Sequence, residues 1–175
     1  MSSRFDKVDS ETVWQGQIGS VRVERFRHED SEVVMREVVA HPGAVAIVAH
    51  DGEDLWLVRQ PREAVGVPDL LELPAGKLDE PGEDPLETAK RELAEEIGKA
   101  AQRWEHLTTY YASPGFSDEQ VHVYLATELS DADADSVEDE RIEIVKWPLV
   151  ELNAAIDECR DAKSLIGLLW LAARS

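Results

Sequence analysis

A chain of 175 residues with 43% hydrophobic and 31% charged side chains has the composition of one globular domain with at most a small appendage, not of a disordered chain. Its 37 acidic against 18 basic residues give a formal net charge of −19, which excludes non-specific nucleic-acid binding and docking on anionic membranes. If the substrate is itself an anion, the sign must be inverted locally, and a bound divalent cation does that.

The first fifteen residues carry no apolar core of a leader peptide, and no apolar run approaches the ~18 residues of a membrane span. The lone cysteine, Cys159, forms no disulfide within the chain, which points to a reducing compartment and an expected cytoplasmic location. The five histidines are scattered, without a zinc-type spacing.

In chain order, residues 12–40 read as short strands, with alternation clearest at Val21 and Val23 against Arg22 and Glu24. They form a small antiparallel unit, assigned to residues 1–41, ahead of a main domain over 42–175. "GAVAIVA" (43–49) is a nearly continuous apolar run, which predicts a strand buried on both faces. "DLWLVRQ" (54–60) follows the turn "HDGE" and completes a hairpin. Strand patterns return over 105–112, 120–128 and 141–147, and two helices close the chain over 148–159 and 162–173. This order predicts an α/β layered domain with a mixed sheet.

The segment 84–97 has a full set of helix signals. Asp84 stands at the N-cap, Pro85 at the first helical position, Glu87 at the capping-box position and Gly98 just past the end. Leu86, Ala89, Leu93 and Ile97 fall on one arc of about 100° that faces the core. Glu92, Glu95 and Glu96 fall on the adjacent arc, at i, i+3 and i+4, with Cβ atoms about 5–6 Å apart. Such a stripe is either an inert acidic face or a set of hard oxygen ligands suited to Mg²⁺ or Mn²⁺. The preceding "LPAGKLDEPGE" is a Pro/Gly loop able to bring backbone close to that face.

Glu83, seven residues, and then Arg91-Glu92-Leu93-Ala94-Glu95-Glu96-Ile97-Gly98 resembles the Nudix box, G-x5-E-x7-R-E-U-x-E-E-x-G-U with U aliphatic. Two departures stand out: six residues, not five, separate Gly76 from Glu83, and Lys99 occupies the last aliphatic position, where Ala100 or Ala101 could substitute. "REVVAHPGAVAIVA", "LVRQPR", "LLELPAG" and "YASPGFSDEQVHVYLATEL" are similar to the ADP-ribose pyrophosphatase branch of the Nudix hydrolases, as is Pro114, 15 residues beyond Lys99. The resemblance implies a Nudix-like α/β/α sandwich with a mixed β-sheet, with the small N-terminal β unit dimer-forming, so that the protein is expected to be a homodimer.

The resemblance also implies roles. Glu92 and Glu96 would bind Mg²⁺ or Mn²⁺, with Glu95 sharing or positioning the metals and the Ala75 carbonyl completing a site. Arg91 and Glu83 would orient these ligands. An E-x-E pair ahead of the last strand makes Glu138 the expected general base and Glu140 an additional metal ligand, two roles that could be exchanged. Arg59 and Arg62 offer guanidinium forks suited to diphosphate oxygens, and the family's arginine matching Arg62 contacts substrate. Glu72 is a candidate partner of a ribose hydroxyl, and the loop with Ser113, Pro114, Gly115 and Phe116 is expected to line the pocket. The implied reaction is metal-dependent hydrolysis of ADP-ribose to AMP and ribose 5-phosphate. The alternatives are hydrolysis of another nucleoside diphosphate sugar or a nucleotide cofactor, or a non-catalytic nucleotide-binding regulatory module. The complete three-carboxylate cluster argues against the last.

Overall fold

The structure, a computed structural model, describes residues 4–80, 82–132 and 141–174. It divides into two compact units: one comprises the chain up to Gly43 together with Tyr111–Gln120, the other Ala44–Tyr110 and the chain from Val121 onward. The recruitment of the 111–120 segment to the first unit has no counterpart in the hydropathy pattern.

In the first unit, β1 (Phe5–Gln15), β2 (Ser20–His28) and β3 (Val33–Ala40) form an antiparallel sheet in the order β1-β2-β3. The sheet begins at Phe5 rather than near residue 12, and the stretch after Gln15 is a turn closed by the Gly16 N–H on the Gly19 carbonyl at 2.9 Å. The alternation in β2 has an unexpected consequence. The most buried position is Glu24, 4% exposed, held by Lys7 at 3.2 Å, Arg22 at 3.0 Å and the Ser10 hydroxyl at 3.2 Å. A carboxylate is tolerated there because its charge is paired, with all three partners converging on Oε1. The 111–120 segment docks on β3 through the Val39 N–H to the Phe116 carbonyl (2.7 Å) and the Ser117 hydroxyl to the Val39 carbonyl (2.9 Å).

In the second unit, β4 (Ala44–His50) runs at the centre of a sheet ordered β10-β5-β4-β9-β8, formed with β5 (Asp54–Arg62), β8 (Lys99–Tyr111), β9 (Gln120–Asp131) and β10 (Glu143–Pro148). β4 pairs parallel with β9 and antiparallel with β5, so the sheet is mixed. Two short strands lie between β5 and α1: β6 (Val67–Glu72) on β5, over residues with no expected element, and β7 (Ala75–Lys77) on β4, inside the stretch expected as loop.

The period-two geometry of β4 builds the layers. Ala44, Ala46 and Val48 join a core with Leu55, Leu57, Leu73, Val123 and residues of α2 (Leu152–Glu158) and α3 (Ala162–Ala172). Val45, Ile47 and Ala49 join a second core with Ala89, Leu93 and Ile97 of α1 (Pro85–Ile97). Helices thus cover both faces, and the continuous apolar run is explained by burial on both sides. The α/β/α arrangement expected from the sequence is the one observed. Among the described residues no helix is long and apolar enough to cross a membrane.

Candidate active site

Helix α1 starts as its sequence dictates. The Asp84 side chain accepts the Leu86 N–H at 2.9 Å, and Pro85 needs no donor. The expected capping box is not made: the Asp84 side chain takes the Leu86 N–H rather than that of Glu87, and the Glu87 carboxylate accepts from Lys90 at 2.7 Å. Gly98 ends the helix at φ 64°, its N–H on the Ala94 carbonyl. With Ala89, Leu93 and Ile97 buried and Leu86 packed at the margin, the rotation of the helix is fixed. Glu92, Glu95 and Glu96 therefore share the adjoining face.

Arg91 organises that face. Its Nη1 lies 2.9 Å from Glu95 and 3.0 Å from Glu92, and its Nη2 lies 3.5 Å from Glu83 and 3.9 Å from Asp79. Glu83 is fixed from behind by the buried Thr88, whose hydroxyl donates to it at 2.8 Å. Thr88 was not legible as a site residue; only its place one turn beyond Asp84 would have signalled it. Glu96 points to the β6–β7 connection, where its carboxylate accepts the Ala75 N–H at 2.9 Å. The Ala75 group seen in contact is thus the amide, whereas the carbonyl was expected as a ligand. Gly76 lies so close to α1 that a Cβ built on it would overlap the Glu92 carboxylate. Any side chain there would push Glu92 off the loop, which is the reason for glycine at this position.

Among the described residues no three acidic or imidazole groups converge on one point, because Arg91 draws Glu92 and Glu95 while Ala75 holds Glu96. The donor set itself, carboxylates beside loop backbone with no sulfur or imidazole, fits a hard divalent cation. Glu138 and Glu140 lie outside the described residues.

The two arginines of β5 differ. Arg62 grips Glu72 with both ends of its fork, Nε to Oε1 at 2.6 Å and Nη2 to Oε2 at 2.8 Å. The Glu72 side chain is 0% exposed and also pairs with Lys163. Burial pushes the Glu72 carboxyl up, but the Arg62 hydrogen bonds and the Lys163 charge outweigh it and hold its pKa below the usual glutamate range. A ribose hydroxyl would have to compete with two cations for this carboxylate, so its direct work in this geometry is to hold Arg62. Arg59 is committed elsewhere, to Glu158 and to the Asp69 carbonyl at 3.2 Å.

The loop residues Ser113, Pro114, Gly115 and Phe116 belong to the first unit. There Pro114, Gly115 and Phe116, with Arg22, Phe26 and Arg36, line a cavity of about 460 Å³. Of the five tryptophans, Trp56, Trp104, Trp147 and Trp170 pack at the margins of the two cores, whereas Trp14 is 58% exposed on β1. The departure at Lys99 also has a structural reason: its ammonium pairs with Asp131 and sits 4.5 Å from the Trp56 ring centroid, while Ala101 meets the core beneath α1.

A family model described as "NUDIX domain" matches residues 40–166. The chain belongs to the Nudix family. Its relatives within the family include an "ADP-ribose pyrophosphatase" of Mycobacterium tuberculosis, 48% identical over 71% of this chain and 60% of that protein. A "Methanol dehydrogenase activator" of Bacillus methanolicus and an "ADP-ribose pyrophosphatase" of Bacillus subtilis are each 37% identical, over 94% of this chain and 90% of theirs. The solved structure titled "Crystal structure of ADP compounds hydrolase" superposes with a TM-score of 0.83 at 22% identity, covering 98% of this chain and 94% of that one, which shows the Nudix fold.

Proposed function

We propose that this Nudix protein hydrolyses the diphosphate of ADP-ribose, giving AMP and ribose 5-phosphate, with Mg²⁺ or Mn²⁺ as cofactor. The carrying observation is the ordered carboxylate face of α1, with Arg91 between Glu92, Glu95 and Glu83, and Glu96 on the Ala75 amide. The similarity to relatives named as ADP-ribose pyrophosphatases supports that substrate.

Glu92, Glu95 and Glu96 would hold the cation, joined by the Ala75 carbonyl and by Glu140, whose parts rest on the family resemblance. Bound there, the cation supplies positive charge against the diphosphate of a substrate that a protein of net charge −19 would otherwise repel. The chain's own residues do the rest. Arg91 keeps the ligands apart and oriented, and Arg62, its Nε and Nη2 spent on Glu72, keeps Nη1 for a diphosphate oxygen. Glu138 acts as the base. Arg59 is a supporting cation at most, and a part for Ser113, Pro114, Gly115 and Phe116 in binding substrate rests on the family resemblance.

The protein works in the cytoplasm as a homodimer. The exposed Phe5, Val8, Val13 and Trp14 of β1 support association, since so much apolar surface on one strand is costly in water. The test of substrate is incubation with ADP-ribose, GDP-mannose and other nucleoside diphosphate compounds plus Mg²⁺, with chromatographic identification of products. ADP-ribose is expected to give AMP at the highest kcat/KM. A higher kcat/KM for another compound would transfer the assignment to it.

A further inference from the structure

Three consecutive residues of the chain leading into the α1-facing loop are tied to the end of α2 and the start of α3. The Cys159 thiol lies 3.6 Å from the Leu71 carbonyl, Lys163 pairs with Glu72, and the Leu73 N–H donates to the Ser164 hydroxyl at 2.7 Å. Asp161 completes the corner: it caps α3 by accepting the Ser164 N–H at 3.0 Å and hydroxyl at 2.6 Å, and it lies 3.0 Å from Lys163. The next residues along the chain, Ala75 and Gly76, are those that meet Glu96 and Glu92.

The charges at this corner balance in pairs. Arg62 and Lys163 are the cations, Glu72 and Asp161 the anions. Lys163 touches both anions, whereas Arg62 hydrogen-bonds Glu72 alone and feels Asp161 and Glu96 at longer range. Asp161, paired with Lys163 and hydrogen-bonded by Ser164, makes no hydrogen bond to Arg62, whose two-point partner is Glu72. Without Lys163, two carboxylates would compete for one guanidinium, one of them fully buried and intolerant of an unpaired charge.

We infer that Lys163 is a positioning residue for the reaction: by neutralising Asp161 and sharing Glu72, it fixes the direction in which Arg62 offers its free nitrogen to the substrate diphosphate. The inference rests on the function proposed above for Arg62. Lys163 itself touches no substrate. Its effect belongs to binding, since a misdirected guanidinium loses a contact made alike by the bound substrate and by the transition state.

The test combines kinetics and structure. Lys163→Met and Lys163→Gln, two variants of similar length so that one folded protein suffices, are assayed with ADP-ribose and Mg²⁺ beside Lys163→Arg and Ser164→Ala. The expected result for the first two is a KM raised by about 10–100-fold, the range for removing a partner that orients a binding group, with kcat little changed. Lys163→Arg recovers most of the loss. Ser164→Ala, which cuts the Leu73 tie and the hydroxyl bond to Asp161 but leaves all four charges in place, lowers the melting temperature and raises KM less than Lys163→Met does. In an Arg62→Ala background, Lys163→Met adds no further rise in KM, because the two act through one contact. A crystal structure of Lys163→Met is expected to show Arg62 out of its two-point grip on Glu72. An unmoved Arg62, an unmoved KM in active enzyme, or additive effects in the Arg62→Ala background would each overturn the inference. If the wild-type protein hydrolyses no nucleoside diphosphate, the function proposed above falls instead, and the position of Arg62 in the variant structure still decides the role of Lys163.

Discussion

At the scale of single residues, Arg91 and Gly76 carry the most. Arg91 reaches four acids with one planar group, which a lysine cannot do with a point charge. Arg91→Lys is expected to lower kcat/KM by about 10–100-fold with an unchanged circular dichroism spectrum. Gly76→Ala forces a methyl group into the space of the Glu92 carboxylate, and because that flexible side chain can swing aside it is expected to lower activity with little change in melting temperature, read by assay and thermal melting. The depressed pKa of Glu72 gives a signed pH effect. A carboxylate whose folded pKa lies below its unfolded one stabilises fully above the unfolded value, about 4.3, and that contribution is lost as pH falls toward the folded value. Glu72→Gln is therefore expected to flatten the acid limb of the stability curve below about pH 4.3, measured by denaturant titration at stepped pH. The carboxylates of α1 were legible in the sequence because helix geometry fixes what i, i+3 and i+4 share. Lys163 was not, because it meets Glu72 across 91 residues of chain, a pairing no local spacing encodes.

At the scale of elements, α1 and β4 do the positioning. The termini of α1 follow from Asp84, Pro85 and Gly98, so the rotation that presents Glu92, Glu95 and Glu96 is set by local chemistry plus three buried apolar residues. Gly98→Ala places a Cβ at φ 64° and is expected to cost about 1–2 kcal/mol in chemical denaturation. The buried run of β4 was equally plain, since only a strand covered on both faces is apolar at every position. β6 and β7 were not. Pro74 and Gly76 mark a loop by their local preferences, yet the edges offered by β5 and β4 pair with the flanking residues and draw them into the sheet. The same tertiary override turned the polar side of β2 inward, where Lys7, Arg22 and Ser10 make Glu24 a satisfied buried anion.

At the scale of the whole molecule, a strongly acidic protein is proposed to bind a diphosphate, and the account makes this possible only through cations held on one helix face. The exposed apolar side chains of β1 belong to the same scale. Light scattering at micromolar concentration is expected to give twice the 19.6 kDa chain mass, and a monomer would contradict the proposed dimer. The family and its sandwich fold were legible because the box motif puts Arg91, Glu92, Glu95 and Glu96 on one helix with Glu83 ahead of it and Gly98 at its end, whereas the 111–120 segment's attachment to the first unit depends on backbone bonds to Val39 that no pattern announces. The central claim is that the α1 carboxylates make a metal-dependent ADP-ribose hydrolase, and its most direct test is AMP release from ADP-ribose by wild type and Glu96→Gln, each with Mg²⁺ and with excess EDTA. Glutamine keeps an oxygen for the Ala75 amide, so the variant folds. AMP is expected only from wild type with Mg²⁺, and equal turnover in EDTA or by Glu96→Gln would show that no cation on the α1 carboxylates is needed.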